Sequence, residues 1–283
     1  MIRSAVTISL VPEAHGGPFV YWDGLEAGCA QAAALGFDAV EVFPRSAQEL
    51  DARRLHQLLA QHRLKLAAVG TGAGWVVHKL RVTYPDAMIR ARARDFIAAI
   101  IDVAGRFRAP AIIGSMQGRC DEGVSREEAT GWLREALEEL GPRAQAHGVP
   151  LLLEPLNRYE SNLLNTLAEG AALLEPLQTR NVRLLCDLFH MNIEEVNLAE
   201  ALRAAGPLVG HVHFADNNRR AIGLGHTDVA PVISALRDIG YKGYLSAEVL
   251  PLPDSDAAAR QTIQSFRRWV SGKAEPKGAP AKR

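Results

Sequence analysis

Four apolar runs in the second half of the chain each carry a group able to bind a cation or move a proton. Glu154 ends the run 151–153 and Asp187 ends 182–186, while His211 and His213 lie in Gly-His-Val-His-Phe and Glu248 follows 244–247. A charge embedded in apolar sequence is costly unless it is paired or bound to a metal. A lone buried Glu is more often an ion-pair partner than a ligand, but four such groups on four successive runs form a pattern. Two glutamates, an aspartate and an imidazole make a hard, oxygen-rich donor set. That set suits Mn²⁺, Mg²⁺ or Co²⁺ better than a thiolate-seeking ion. His211 and His213 are two apart on a strand and share a face, so one can be a ligand and the other a supporting donor.

Such a set needs elements that bring four strand ends together. Eight strands are predicted, at 5–10, 39–43, 65–70, 111–115, 150–154, 182–187, 210–214 and 244–249. Most are continuous apolar runs, the mark of parallel strands covered on both faces. Helical patterns separate them, clearest at 90–105 (ending at Gly105) and 126–147, with shorter ones at 198–205, 229–239 and 256–270. Strand and helix alternating eight times predict an α/β fold, a single (β/α)₈ TIM barrel, because right-handed crossovers place every helix outside. An open doubly wound sheet would carry a glycine-rich phosphate turn after its first strand. Here that strand is followed by Val11, Pro12, Glu13, Ala14, His15, Gly16 and Gly17, without that spacing. In a barrel of this kind the active site lies at the C-terminal strand ends, where the four groups fall.

The bulk properties agree. A chain of 283 residues matches one barrel of roughly 250 residues. We expect the barrel over 1–271 and a disordered tail, rich in Lys, Pro, Gly and Ala, over 272–283. Lys plus Arg number 32 and Asp plus Glu 32, with no basic stripe, which argues against a nucleic-acid partner. No run approaches the ~18 apolar residues of a membrane span. Cys29, Cys120 and Cys186 are odd in number and lack metal-type spacing, so reduced thiols and a cytoplasmic location are expected. Period-2 alternation turns Cys186 away from the barrel axis, opposite to Asp187.

The stretches Glu154-Pro-Leu-Asn-Arg-Tyr-Glu160, Asp187-Leu-Phe-His190, His211-Val-His213-Phe-Ala-Asp-Asn-Asn-Arg219 and Ala247-Glu248 resemble the xylose-isomerase-like sugar isomerase/epimerase superfamily, and within it the ketose 3-epimerases of the D-tagatose and D-psicose group. The resemblance spans the barrel and is sharpest over 151–250. It implies that Glu154, Asp187, His213 and Glu248 hold a divalent metal, Mn²⁺ first among Mn²⁺, Co²⁺ and Mg²⁺. It implies that Glu154 and Glu248 are the acid/base pair, one on each face of the reacting carbon. His190 and Arg219 would bind oxygens at the carbonyl end of a small sugar, and Glu160 would orient His190. It also implies a homodimer or homotetramer. Epimerisation beside a ketone needs a proton removed from one face and returned to the other, through an enediolate, so a base per face is chemically apt.

Other readings stand beside these. Glu160 could pair with Arg158, His190 could lie at the start of a helix near Asn192, and Arg219 or its neighbour Arg220 could be solvated. The sequence departs from the epimerase pattern in the first half, at Thr71-Gly-Ala-Gly-Trp75 and Gly114-Ser-Met-Gln117, where Trp75 offers an apolar platform and Gln117 hydrogen bonds to the far end of a sugar. The same metal set would serve an aldose–ketose, hydroxypyruvate or inosose-type isomerase, or a lyase acting on an oxidised or carbon-linked glycoside. A DNA-repair endonuclease of this superfamily would need histidines at the ends of strands three and four, where Ala-Val-Gly-Thr and Ile-Gly-Ser-Met stand instead.

Overall fold

The computed structural model of the chain describes residues 1–270 and 272; all of the expected tail except Gly272 lies outside the described residues. Alternation along each strand sorts its side chains between two environments. In β1 (Arg3–Ser9), Val6 and Ile8 join the large apolar core, while Ala5 packs with Ala39 and Ala67 in a separate small cluster. The division continues through β2 (Ala39–Phe43), β3 (Lys65–Gly70), β4 (Ala111–Ile113), β5 (Leu151–Leu153), β6 (Val182–Asp187), β7 (Val209–His213) and β8 (Tyr244–Ala247). A second small cluster of Ala68, Ile112, Leu152 and Leu185 draws one residue from each of β3 to β6. Inward-facing apolar side chains that fill the closed interior make it a packed core and not a pore, as a (β/α)₈ barrel requires.

The strands pair in parallel in chain order and close, β8 returning to β1 with Val6 opposite Ala247. The register sets the polar layer above the apolar ones. Thr7 lies opposite Glu41, and Asp187 lies opposite His213. Cys186, between Leu185 and Asp187, belongs to the large core, as its alternation requires.

The helices are α1 (Gly24–Leu35), α2 (Ala52–His62), α3 (Ala73–Val76), α4 (Ala87–Gly105), α5 (Arg126–Ala146), α6 (Leu167–Leu174), α7 (Leu188–Glu194), α8 (Leu198–Ala205), α9 (Val229–Asp238) and α10 (Ser255–Trp269). The short α3 and α7 follow β3 and β6 directly and belong to the mouth of the barrel. Caps set several starts. Asp86 accepts from the Met88 N–H at 2.7 Å, so α4 begins three residues before the expected position. Ser125 and Glu128 form a capping box on α5. Helices α1, α2 and α6 were not among the sequence-predicted ones. In α1 the run is mostly Ala and Gly, with little apolar contrast, and Gly28 is there for contact: a Cβ on it would stand 2.7 Å from Ile8 Cδ1. Among the described residues no helix is long and apolar enough to cross a membrane.

Five strands end earlier than the sequence pattern suggests, at Ser9, Ile113, Leu153, His213 and Ala247. The residues that follow two of them are Glu154 and Glu248, which lie just beyond the ladder and turn inward over the polar layer.

Candidate active site

Glu154, Asp187, His213 and Glu248 each bring one donor atom to a common point, all within 4.8 Å of one another. His213 Nδ1 is the hub, at 3.2 Å from Asp187 Oδ2, 3.3 Å from Glu248 Oε2 and 3.5 Å from Glu154 Oε1. Glu154, Asp187 and His213 are buried, and Glu248 is nearly so. Glu154 Oε1 is buried with no hydrogen-bond partner, an orphaned oxygen facing the cluster. Gly114 makes room for this carboxylate: a Cβ there would lie 2.5 Å from Glu154 Oε2.

Burial and neighbours divide the protonation states. Burial pushes the Glu154 carboxyl up, His213 pulls it back, the Glu248 charge adds to the rise, and the net position is above the usual carboxylate range. Burial also pushes Asp187 up, but the charge of Arg219, together with the contact with His213, outweighs it and holds Asp187 well below that range. Burial disfavours a charged His213, yet Glu248, Glu41, Asp187 and Glu154 together raise its pKa well above the ordinary value.

The other face of His213 is also committed. Its Nε2 lies 3.0 Å from Glu41 Oε1, and His211 Nε2 lies 2.8 Å from Glu41 Oε2. Glu41 is 4% exposed. Sequence reasoning missed it, although it sits in Ala-Val-Glu-Val-Phe, a charge inside an apolar run, which is the signal that marked the other strands.

Arg219 is buried, its Nη1 2.5 Å from Asp187 Oδ2 and its Nη2 bonded to Glu248 Oε2. It lies over the Phe189 ring at 4.7 Å. Its backbone adopts φ 61°, a left-handed conformation unusual for a long side chain. The loop that holds it there is organised by Asp216, which is 1% exposed. Asp216 Oδ1 accepts from the N–H groups of Asn217 and Thr227, and Oδ2 accepts from those of Gly223 and Gly225. The Leu250 N–H bonds to the Arg219 carbonyl at 2.8 Å and ties the loop to the segment after β8. Asp216 was not singled out from sequence either.

His190 lies inside α7, which starts at Leu188 with Asp187 as its cap, rather than at the head of a helix near Asn192. Its Nε2 is 3.8 Å from both Glu154 Oε1 and Asp187 Oδ2. Its Nδ1 is 2.7 Å from Asn157 Nδ2, which also donates to Glu160 Oε1 at 2.9 Å. An amide nitrogen only donates, so Nδ1 accepts and neutral His190 carries its proton on Nε2, toward the cluster. The direct Glu160–His190 distance is 3.9 Å, so any orienting effect of Glu160 runs through Asn157. Arg158 pairs with Glu194 instead of Glu160.

Above the cluster opens a cavity of ≈ 530 Å³, with Glu154, His213, Arg219 and Glu248 in its floor. Trp75 lines it, as do Phe19 and Phe43, whose rings stack at 4.5 Å. Gln117 does not line it, which corrects the expectation that it meets a sugar. The short turn Ser115–Gln117 after β4 buries its side chain completely, and its amide donates to the carbonyls of Glu154 (2.7 Å) and Gly114 (3.2 Å). It braces the backbone of Glu154.

The family model described as "Xylose isomerase-like TIM barrel" matches residues 29–269. The D-psicose 3-epimerase of Agrobacterium fabrum is 31% identical over 243 residues, covering 83% of this chain and 84% of that protein. The 3-dehydro-D-guloside 4-epimerase of Escherichia coli is 41% identical over 112 residues, covering 40% of this chain and 42% of that protein. A solved structure of D-allulose 3-epimerase from Methylomonas sp. in complex with D-allulose superposes with a TM-score of 0.78 at 25% identity, covering 95% of this chain and 98% of that one.

Proposed function

The chain belongs to the xylose isomerase-like TIM barrel family, and from that membership we propose that it is a divalent-metal-dependent ketose epimerase acting at C3. One observation carries the reading. Two carboxylates, Glu154 and Glu248, come from strand ends three steps apart around the barrel and converge on one point with Asp187 and His213. One carboxylate takes the proton from C3, and the other, as the acid, returns a proton to the opposite face.

The donor set fits a cation. Glu154 Oε1 is unpartnered, His213 Nδ1 faces three carboxylates, and the oxygen-rich composition matches Mn²⁺, with Co²⁺ or Mg²⁺ as substitutes. Glu154, Asp187, His213 and Glu248 would hold it, and it would supply positive charge against the negative charge developing on the substrate oxygens. The protein's own donors serve the same end. The Nε2–H of His190 and the guanidinium of Arg219 point into the floor of the cavity, where the carbonyl end of a ketose would lie. Trp75 with Phe19 and Phe43 supplies an apolar wall for the rest of the sugar.

The cavity supports a second reading. Its ≈ 530 Å³ falls within the roughly 300–1,000 Å³ typical of pockets for drug-sized ligands, so a keto-sugar carrying a glycosidic substituent also has room. The similarity to an epimerase of 3-dehydro-D-guloside points the same way. Proton NMR in D₂O with free ketoses and 3-keto-glycosides separates the two. Deuterium at C3 of a free ketose with a new diastereomer supports the first reading, and exchange confined to C4 of the glycoside replaces it with the second.

A further inference from the structure

We infer that Glu41 and His211 are positioning residues that fix His213 as an Nε2–H tautomer and so present its Nδ1 lone pair to the metal. The inference rests on the proposed ligand set and adds to it two residues outside that set, of which Glu41 also lines the base of the cavity.

A carboxylate has only acceptor capacity, so both ring nitrogens that face Glu41 must carry protons. His213 Nε2 donates to Oε1 at 3.0 Å and His211 Nε2 donates to Oε2 at 2.8 Å. A histidine that holds a metal must be neutral and so keeps a single N–H, and Glu41 assigns that N–H to the side of His213 away from the other carboxylates. Nδ1 is then free to act as a ligand toward Glu154, Asp187 and Glu248.

His211 holds Glu41 in turn. With one oxygen on each histidine, the carboxylate plane is set by two contacts from residues two apart on β7, whose rings stand nearly perpendicular at 86°. Glu41 reaches them from β2, its neighbours Val40 and Val42 being locked in the large core. Burial of all three side chains keeps water from substituting for the carboxylate. A carboxylate on the far nitrogen of a ligating histidine fixes ring orientation and raises ligand basicity, and its loss typically costs about 10–100-fold in metal affinity.

The test is calorimetric titration of metal-stripped protein with Mn²⁺, paired with long-range ¹H–¹⁵N NMR of the diamagnetic Mg²⁺-loaded protein to read the His213 tautomer. Glu41→Gln is expected to weaken Mn²⁺ about 10–100-fold and to perturb the Nε2–H signature. His211→Ala is expected to weaken it less, and His211→Gln, which retains a side-chain N–H donor, to recover part of the loss. These two variants serve if Glu41→Gln does not fold. Mn²⁺ affinity within about twofold of the unmutated protein in Glu41→Gln and in His211→Ala, with the tautomer unchanged, overturns the inference while leaving the ligand set intact. Two Mn²⁺ per chain, one of them lost in Glu41→Gln, also overturns it, because Glu41 would then be a ligand. Failure of the unmutated protein to bind Mn²⁺, Co²⁺ or Mg²⁺ removes the metal reading and the inference with it.

Discussion

Replacing Asp216 by Asn removes half of what holds the Arg219 loop. The Asn side chain keeps one oxygen, which can serve the N–H groups of Asn217 and Thr227. Its amide nitrogen takes the place of Oδ2 and points a donor at the N–H groups of Gly223 and Gly225. Two buried hydrogen bonds to a charged acceptor are lost, at about 1–3 kcal/mol each. If the loop unfolds only with the whole barrel, a total of about 3 kcal/mol lowers Tm by roughly 6–12 °C, at the 2–4 °C per kcal/mol usual for chains of this size. If the loop opens locally, Tm moves less and the loss shows in turnover, because Arg219 at φ 61° keeps its place only while the loop is closed. Thermal unfolding and steady-state kinetics on one preparation distinguish the two. The pH dependence adds a signature. Burial raises the Asp216 pKa, but the backbone and hydroxyl bonds from Thr227 and the N–H groups of Asn217 and Gly223 outweigh it and hold the carboxyl below its ordinary value. Because the folded pKa is depressed, its contribution is fully present above the unfolded value of about 3.9 and is lost as pH falls through the folded one. The stability gap between unmutated protein and variant therefore narrows below about pH 4. A variant with unchanged Tm and unchanged kcat/KM would refute the reasoning.

Glu154→Gln and Glu248→Gln should each cut kcat by at least about 10²-fold, the low end for loss of a general acid or base, with circular dichroism unchanged; normal turnover in either removes it from the acid/base pair. Gly114→Ala should displace the Glu154 carboxylate, since the added Cβ would lie 2.5 Å from Oε2, and kcat should fall about 10²-fold with little change in the fold; unchanged kinetics would mean that the carboxylate has other room. Treatment with a chelator should abolish activity, and Mn²⁺ or Co²⁺ should restore it, whereas full activity in protein shown by elemental analysis to be metal-free would contradict the assigned role of the cluster.

The barrel was legible because its strands are nearly uninterrupted apolar runs, and so were the residues that end them. Asp187 and His213, taken from separate motifs, proved to be register partners on adjacent strands. Less legible was whatever depends on contact across the barrel. Glu41 meets His213 across 172 positions of sequence, and nothing local to β2 names that partner. Asn157 stood within a quoted motif, yet only its placement between Glu160 and His190 reveals a linking role. Gln117 failed for a local reason: the turn after β4 rotates its amide inward, toward the carbonyls of Gly114 and Glu154. Helix α1 lacked apolar contrast because close packing on Ile8 favours Gly and Ala there over large side chains.

Proton NMR in D₂O with Mn²⁺-loaded protein and a free ketose tests the central claim most directly. The account predicts deuterium at C3 of the ketose together with its C3 diastereomer, and loss of both in Glu154→Gln and Glu248→Gln. Deuterium at C1 with an aldose product, or no exchange on any ketose by protein that binds the metal, would contradict it.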